Sequence, residues 1–333
     1  MKKILIIHTA FIGDIVLSTP LIRAIKEKYK NSEIYYLTTP SGKAILKNNP
    51  NLKKIISYDK NGKDKGIKKL FDLIKVIKEE RFDIAIIPHR YLKSSLIAFG
   101  GKIKERIGYS NSEGQMLLTD KIKYQKNIHE VQRLLSLIEE KNVSIKKNKI
   151  ELYPGKKEIK KVDEIWKKYN LKGNKVIIIA PGSKWFTKMW PIEYYNELIK
   201  KLIQDENNKV ILVGGNDEKD LKLIQDEKIL NLIGKTSLLE LAELLKKSDL
   251  LVGNDSSPLH IASAFNTKII AMFGATTKSL GFYPWSKNSV VLENKNLECR
   301  PCGLHGGNTC PEKHFKCMRE IKPEEVLEEI EGR

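Results

Sequence analysis

The sequence predicts an α/β protein with two Rossmann-like domains that face a central cleft. Short apolar segments alternate with amphipathic segments in both halves of the chain, as expected for parallel strands connected by helices. At 333 residues the chain is longer than one hydrophobic core usually supports. Four polar turns follow apolar segments, and open parallel sheets bind their ligands at such strand ends.

The first half contains four predicted strands and four predicted helices. The strands are expected at 4–7, 34–37, 54–57 and 84–87, and the helices at 16–29, 43–48, 68–80 and 128–140. The strands are short and rich in Ile and Leu, which is typical of strands buried on both faces. The Lys- and Asn-rich region 141–161 is interpreted as the approach to a linker.

The second half repeats this alternation. Strands are expected at 176–179, 209–213, 250–252 and 269–273, and helices at 191–204, 238–247, from about 258, and 321–331. We therefore predict a first Rossmann-like domain at 1–165 and a second at 171–320. A C-terminal helix at 321–333 follows, with Pro323 in its first turn.

The composition limits the kind of partner that the protein can have. The net charge is +19, yet only eight of the 60 basic residues are Arg and no basic helix is visible, so a groove-reading nucleic-acid protein is not indicated. The excess charge favours an anionic partner, either a phosphorylated substrate or an acidic membrane surface. No apolar run approaches the ~20 residues that span a bilayer. The start of the chain fits a first strand better than a signal peptide, so we expect a cytoplasmic protein.

The first polar turn is Phe11-Ile12-Gly13-Asp14, directly after the first strand. Gly13 permits a tight turn, and Asp14 is expected at the start of the following helix. Its carboxylate could cap that helix, or it could face the cleft as a general base. The residues alone favour the cap.

The second polar turn covers residues 181–191 and contains Ser183, Thr187, Lys188 and two tryptophans. A lysine before a helix N-terminus suits the charge that develops on a diphosphate, because ammonium and N–H dipoles act on the same group. The alternative is that the lysines are solvated and the tryptophans belong to the core. The unusual richness in Trp favours the functional interpretation.

The third polar turn begins with Gly214 and Gly215 and reaches Glu218. Adjacent glycines permit close approach of the backbone to a ligand, and an acidic side chain could hold ribose hydroxyls. An ordinary turn explains the pattern equally well. The chain has neither a dinucleotide fingerprint after a strand nor a P-loop motif, which argues against a Rossmann dehydrogenase and a P-loop kinase.

The fourth polar turn lies within 249–277 and contains Asp255, Ser256 and Ser257, with His260 three residues further on. It follows a buried strand and leads into a helix, whose free N–H groups favour phosphate or carboxylate. Alternatively, Asp255 or Ser256 simply caps the helix. A single helical histidine such as His260 is more often a packing residue than a catalyst.

Four cysteines form a separate cluster near the end of the chain. Cys299, Cys302, Cys310 and Cys317 have the spacing C-x2-C-x7-C-x6-C, with two histidines interleaved. The first pair has the spacing of metal ligands, whereas the second pair does not. Reduced thiols or a labile disulfide are favoured over a structural metal or an Fe–S site.

Together these motifs resemble the ADP-heptose:lipopolysaccharide heptosyltransferases of glycosyltransferase family nine, with most similarity to the heptosyltransferase II branch. The resemblance covers nearly the whole chain. It is carried by Gly13-Asp14 with Pro20-Leu21-Ile22-Arg23-Ala24, Pro181-Gly182-Ser183, Thr187-Lys188-Met189-Trp190-Pro191, Asn254-Asp255-Ser256 with Pro258, His260 and Ala262, and Phe273-Gly274 with Thr276.

The resemblance implies a GT-B fold and an inverting transfer of L-glycero-D-manno-heptose from ADP-heptose to the inner core of lipopolysaccharide. Asp14 would be the general base, and Lys188 would offset the charge of the leaving ADP. No metal and no cofactor are expected. The implied donor-binding residues are Ser183, Thr187, Glu218, Asp255, Ser256, Ser257 and His260.

The implied acceptor is a lipid A-core glycolipid, so the protein would be peripheral to the inner face of the cytoplasmic membrane. The chain departs from the family pattern in the donor pocket. Ser257 stands where members often carry Gly, and Ala275 and Thr277 replace a common Pro and Asp. A related transferase with another nucleotide-sugar or acceptor stays open as an alternative, as does a non-catalytic nucleotide-sugar or glycolipid binder.

Overall fold

The chain folds as two compact units, each of which contains a six-stranded parallel sheet. A computed structural model describes residues 1–139 and 143–332. The units comprise Met1–Tyr153 and Pro154–Arg333. Two Rossmann-like α/β units were predicted, and this part of the fold prediction is confirmed.

The first unit is built around the sheet order β3-β2-β1-β4-β5-β6, in which every pair of strands is parallel. Its strands are β1 Lys2–Ile7, β2 Ser32–Thr38, β3 Leu52–Ser57, β4 Ile84–Ile87, β5 Glu105–Tyr109 and β6 Asp120–Ile122. Its helices are α1 Ile12–Leu17, α2 Thr19–Lys28, α3 Pro40–Leu46, α4 Ile67–Glu80, α5 Leu92–Gly100 and α6 Glu130–Ser136. The strand order reverses between β1 and β4, so the switch point that binds ligands in such sheets lies there.

The second unit has the sheet order β12-β11-β10-β7-β8-β9, again with parallel pairs. Its strands are β7 Lys175–Ala180, β8 Asn208–Leu212, β9 Ile229–Asn231, β10 Leu250–Asn254, β11 Lys268–Met272 and β12 Ser289–Leu292. Its helices are α7 Lys156–Lys168, α8 Ile192–Leu202, α9 Leu238–Lys247, α10 Ser257–Ala262, α11 Lys316–Arg319 and α12 Pro323–Glu331. Its switch point lies between β7 and β10.

Burial explains why the central strands are mostly apolar. Apart from the lysines that begin β1 and β7, the side chains of β1, β4, β7 and β10 are almost completely buried, because helices cover both faces of each sheet. Burying such side chains contributes about 25 cal/mol per Å² of apolar surface removed from water. The strand ends are therefore held rigidly, and the polar turns that follow them have defined positions.

Two predicted elements differ from the structure. The helix expected at 16–29 is divided into α1 and α2 at Ser18, because Pro20 lies in the first turn of the new helix and its nitrogen cannot donate a bond to the previous turn. The approach to a linker expected at 141–161 is wrong from Lys156 onward, where α7 begins and buries Val162. Residues 141 and 142 of this prediction lie outside the described residues.

The ends of two further predictions lie outside the described residues. The helix expected at 128–140 is observed as Glu130–Ser136, and residue 140 is outside the described ranges. The same holds for residue 333 of the predicted C-terminal helix, which begins at Pro323. Among the described residues, no helix is long and apolar enough to cross a membrane.

Candidate active site

A buried asparagine organises the switch point of the second unit. Asn254, the last residue of β10, is fully buried. Its Nδ2 donates to the Pro181 carbonyl at 2.7 Å, and its Oδ1 accepts from the Trp190 N–H at 2.9 Å and from the Tyr195 hydroxyl at 3.0 Å. The side chain thus ties the second polar turn to the end of the neighbouring strand.

We expect Asn254→Ala to destabilise the second unit by about 2–4 kcal/mol, because the Pro181 carbonyl and the Trp190 N–H would be left buried without a partner. Urea unfolding followed by tryptophan fluorescence measures the effect. The matched control is Asn207→Ala at an exposed site, which is expected to change the free energy of unfolding by less than about 0.5 kcal/mol. Equal unfolding midpoints for the two variants would contradict the role of Asn254.

The tryptophans of the second turn have different environments. Trp190 is fully buried in the hydrophobic core, and its Nε1 donates to the Ile321 carbonyl at 2.8 Å. Trp190 is therefore a core residue, which was the alternative to the functional interpretation of this turn. Trp185 is only partly buried, and the ammonium group of Lys184 lies 5.5 Å from its ring centre.

A buried ion pair joins the second and fourth turns. Lys188 Nζ lies 2.6 Å from Asp255 Oδ2 and 3.4 Å from the Asp255 carbonyl oxygen, and both side chains are largely buried. The Thr276 hydroxyl donates to the same Oδ2 at 2.6 Å. Electrostatic interactions are stronger in such a low-dielectric site than in water, so an ammonium group held there can act strongly on a bound anion.

Two polar atoms beside this pair lack partners in the described part of the chain. These are Ser256 Oγ and His260 Nδ1, both buried. Ser256 occupies the N-cap position of α10, but its side chain makes no capping bond. Burial lowers the pKa of His260 to about 4. The negative charge of Asp255 opposes this shift, and the positive charge of Lys188 adds to it. His260 is thus neutral at pH 7, with one ring nitrogen available to a ligand.

Glu218 connects the second turn with the third. Its carboxylate accepts from the Gly215 N–H at 2.9 Å. A Cβ atom at Gly182 would lie 2.0 Å from Glu218 Cδ, and one at Gly214 would lie 2.1 Å from Oε2. Both glycines therefore leave room for the close approach of this carboxylate. Burial raises the pKa of Glu218, whereas the hydrogen bond from the Gly215 N–H lowers it by a smaller amount.

Thr187 and Ser183 complete the second turn. Thr187 is buried. Its backbone N–H and its hydroxyl both donate to the Gly307 carbonyl at 3.0 Å. Its Oγ1 also accepts a hydrogen bond from the Gly307 N–H at 2.8 Å. These bonds hold the turn next to Lys188. Ser183 lies at the start of the turn, where its Oγ is 3.5 Å from the Trp185 backbone nitrogen. Ser257, the first residue of α10, is partly buried.

In the first unit, Asp14 lies in the first turn of α1, directly after β1. The N-cap residue of α1 is Phe11, so Asp14 does not occupy the capping position that the residues alone favoured. Glu130, in the first turn of α6, pairs with the guanidinium of Arg133. Burial raises the pKa of Glu130 to about 7. The positive charge of Arg133 opposes this shift, and the negative charge of Asp14 adds to it. Two carboxylates are therefore close enough to influence each other.

A polar cluster at the switch point of the first unit was not predicted from the sequence. His89 follows β4, and its Nδ1 lies 3.4 Å from Thr9 Oγ1 and 3.2 Å from Ser94 Oγ. Lys60 reaches the same place, donating to the Thr9 carbonyl at 2.8 Å. Burial, then Lys60 and Arg90, lower the pKa of His89 to about 4. The polar residues directly after strand 84–87 were a signal that could have revealed this site.

Positive charge is concentrated around His89. The pKa of Lys60 is lowered by burial and then by the charge of Lys93. Arg90 stacks on the Tyr124 ring, 4.5 Å from its centre. Within residues 1–139 and 143–332, no ion pair of Lys60, Arg90 or Lys93 with a carboxylate is found. A group of cations without a paired carboxylate at a strand end suits an anionic ligand.

The four cysteines are all free thiols, so the labile disulfide is not formed. Burial raises the pKa of Cys317 to about 11, and burial followed by the neighbouring Cys299 raises the pKa of Cys302. In the described part of the chain, no group of three His, Cys, Asp or Glu side chains is arranged to hold a metal ion.

Comparison with known proteins identifies the family. The model of glycosyltransferase family 9 (heptosyltransferase) matches residues 70–314. Lipooligosaccharide heptosyltransferase 2 of Campylobacter jejuni is 29% identical over 338 residues, which cover 98% of each chain. Its counterpart in Haemophilus influenzae is 28% identical over 346 residues, again covering 98% of each chain.

Solved structures show the same fold. A glycosyl transferase family 9 protein from Veillonella parvula aligns with a TM-score of 0.87 at 20% identity, covering 99% of this chain and 96% of that chain. Escherichia coli ADP-heptose lipopolysaccharide heptosyltransferase II aligns with a TM-score of 0.81 at 24% identity, covering 100% of this chain and 98% of that chain. The predicted GT-B fold class is confirmed. Because the family model matches well over half of its length, the chain belongs to glycosyltransferase family 9, the heptosyltransferases.

Proposed function

We propose that this glycosyltransferase moves heptose from ADP-heptose to the inner core of lipopolysaccharide, with inversion at the anomeric carbon. The observation that carries the proposal is the buried group formed by Lys188, Asp255, Ser256 and His260 at the end of β10. It combines a held cation with two unpartnered polar atoms, as a site for a charged, hydroxyl-rich ligand requires. The curated relatives of the same length are named heptosyltransferases.

In the proposed reaction, Asp14 accepts the proton of an acceptor hydroxyl. The hydroxyl oxygen attacks the anomeric carbon of the donor sugar and forms the new glycosidic bond, while the bond from that carbon to the ADP oxygen breaks. The electron pair of the broken bond leaves on the β-phosphate. The position of Asp14 in the first turn of α1 supports this role, because that turn follows the central strand β1 at the ligand-binding edge of the sheet.

Lys188 stabilises the departing diphosphate. An ammonium group has three N–H donors, and two of the contacts of Lys188 are to Asp255, which leaves one donor for a phosphate oxygen. The negative charge of ADP grows as the bond breaks, so this contact is stronger in the transition state than in the ground state. Asp255 orients Lys188 and, with Thr276, keeps the turn in place.

The other residues of the second unit bind the donor. Ser256, Ser257 and His260 contact the phosphates and the sugar, and Glu218 accepts hydrogen bonds from the ribose hydroxyls. Thr187 and Ser183 shape the turn around Lys188. In the first unit, the cluster of Lys60, Arg90 and Lys93 would attract the phosphate and carboxylate groups of a lipid A-core acceptor. An acceptor of this kind is anchored in the inner leaflet, so the protein acts as a peripheral enzyme there.

The proposal is tested by calorimetric titration with ADP-heptose, UDP-sugars and GDP-sugars, followed by a transfer assay with a lipid A-core acceptor. Selective binding of ADP-heptose together with transfer supports it. A preference for a uridine or guanosine donor would contradict the proposed donor. Binding of ADP-heptose without transfer to any core acceptor would favour a non-catalytic binder.

We expect Glu218→Gln to weaken ADP-heptose binding by about 10–100-fold, because a hydrogen bond to a charged group contributes about 1.5–3 kcal/mol. The turnover number at saturating donor should change little, since the ribose contact is the same in the ground state and the transition state. Calorimetry and steady-state kinetics measure the two effects. The control is Asp217→Asn in the same turn, and equal affinities of both variants and the wild type would exclude the ribose contact.

A further inference from the structure

Exposed apolar side chains are concentrated on one side of the first unit. On α4, Ile67 and Phe71 are 74% and 64% exposed and lie one helical turn apart. On α5, Leu92 and Phe99 are 43% and 53% exposed and share one face, since they are two turns apart. Met116, in the short 3-10 turn 115–117, is 89% exposed. Soluble proteins seldom expose so many large apolar groups together.

These elements are neighbours, so the apolar groups form one surface. A Cβ atom at Gly100 would meet the Ile74 side chain at 2.9 Å, which places the end of α5 against α4. A Cβ atom at Gly114 would lie 3.3 Å from Leu92 Cδ1, so the turn that carries Met116 packs beside the start of α5. The apolar surface is defined by Ile67, Phe71, Leu92, Phe99 and Met116.

Lysines surround the apolar surface. Residues 60–71 contain five lysines and one aspartate, and Lys63, Lys65, Lys68 and Lys69 are exposed. Residues 88–104 contain three lysines and Arg90 but no acidic residue. Lysine stems can lie along an apolar surface while their ammonium groups reach outward. Exposed Phe, Leu and Ile beside lysines are the combination that enters the headgroup region of an anionic bilayer.

We propose that the surface formed by α4, α5 and the turn 115–117 docks on a bilayer that contains anionic phospholipid. The inference rests on the proposed function, in which the acceptor is anchored in a membrane. Both helices begin at the carboxyl edge of the first sheet, because each follows a parallel strand. Asp14 and Lys60 lie at the same edge. A bilayer on this surface therefore places its glycolipids beside the proposed base.

Vesicle flotation tests the surface. The full-length protein is mixed with vesicles of phosphatidylethanolamine and phosphatidylglycerol, and in parallel with phosphatidylcholine vesicles. We expect binding to the anionic vesicles only, weakening as salt rises. Ile67→Ser/Phe71→Ser should lower binding by about tenfold or more, because two apolar side chains no longer enter the bilayer. Lys68→Gln/Lys69→Gln should lower it by about tenfold and flatten its salt dependence.

The control is Tyr169→Ser/Leu304→Ser, which removes two exposed apolar groups from the second unit; its binding should stay within about twofold of the wild type. The proposal is overturned by vesicle binding that Ile67→Ser/Phe71→Ser leaves unchanged, by equal binding to both vesicle types, or by no binding. Light scattering provides a further test. The proposal is overturned if the wild type is a dimer, Ile67→Ser/Phe71→Ser is a monomer and both bind vesicles equally, because the surface would then be the contact between two copies of the chain.

A soluble acceptor separates this inference from the proposed function. With a deacylated core acceptor, Ile67→Ser/Phe71→Ser should transfer heptose at the wild-type rate, whereas with acceptor embedded in anionic vesicles its rate should fall by about tenfold. If the wild type itself does not transfer heptose to the soluble acceptor, the proposed function is contradicted. Equal rates of the variant and the wild type on vesicles would contradict the docking surface alone.

Discussion

Replacing Asp14 with Asn is expected to abolish heptose transfer while leaving the affinity for ADP-heptose nearly unchanged. The amide cannot accept the proton of the acceptor hydroxyl, and loss of a general base costs about 10²–10⁴-fold in rate. The proposed donor contacts lie in the second unit, so calorimetry should give a dissociation constant close to that of the wild type. Single-turnover transfer measures the loss of rate.

The control for Asp14→Asn is Asp163→Asn, an exposed carboxylate on α7, which should keep full activity. The pH dependence gives a second readout. The charge of Asp14 raises the pKa of Glu130, so the pKa of Glu130 should fall in Asp14→Asn. Titration of Glu130 by carboxyl NMR checks this direction. Transfer at more than about a tenth of the wild-type rate would exclude Asp14 as the base.

Lys188→Ala is expected to weaken ADP binding and to reduce the rate of transfer by about 10²–10³-fold, a typical cost of removing a group that stabilises transition-state charge. The effect on rate should exceed the effect on binding, because the charge on the diphosphate grows toward the transition state. Rapid-quench kinetics and calorimetry measure the two quantities. A turnover number equal to that of the wild type would exclude the leaving-group role.

Stability must be measured beside activity for Lys188→Ala, because removing one member of a buried ion pair costs about 3–5 kcal/mol. The double variant Lys188→Ala/Asp255→Asn removes the uncompensated carboxylate and should recover most of that stability without recovering transfer. Lys184→Ala provides a control in the same turn. Recovery of transfer by the double variant would show that Lys188 serves only to neutralise Asp255.

The central elements of both units could be predicted from the sequence because their apolar residues are continuous. The strand at 84–87 and the helix at 238–247 agree with β4 and α9 at both ends. The edge strands β6 and β9 were not predicted, since each is only three residues long and its residues alternate poorly. The first part of α7 was interpreted as linker because its lysines conceal the spacing of its few apolar residues.

The candidate site could be predicted as a set of turns but not as a set of contacts. Polar residues after buried strands indicated Lys188 and Asp255, because the carboxyl ends of parallel strands are ligand sites. The ion pair between them depends on side chains 67 residues apart, which local pattern does not reveal. Lys60 was missed for the same reason: it contacts Thr9 across a separation of 51 residues.

The close approach of Glu218 to two glycines has a consequence for how this chain can vary. A Cβ atom at Gly182 or Gly214 would overlap the Glu218 carboxylate, so a substitution at either glycine requires that this side chain moves aside or is shortened. Among natural variants the three positions should therefore tend to change together. In a library randomised at all three positions, Ala at 182 is expected more often beside a residue shorter than Glu at 218 than beside Glu.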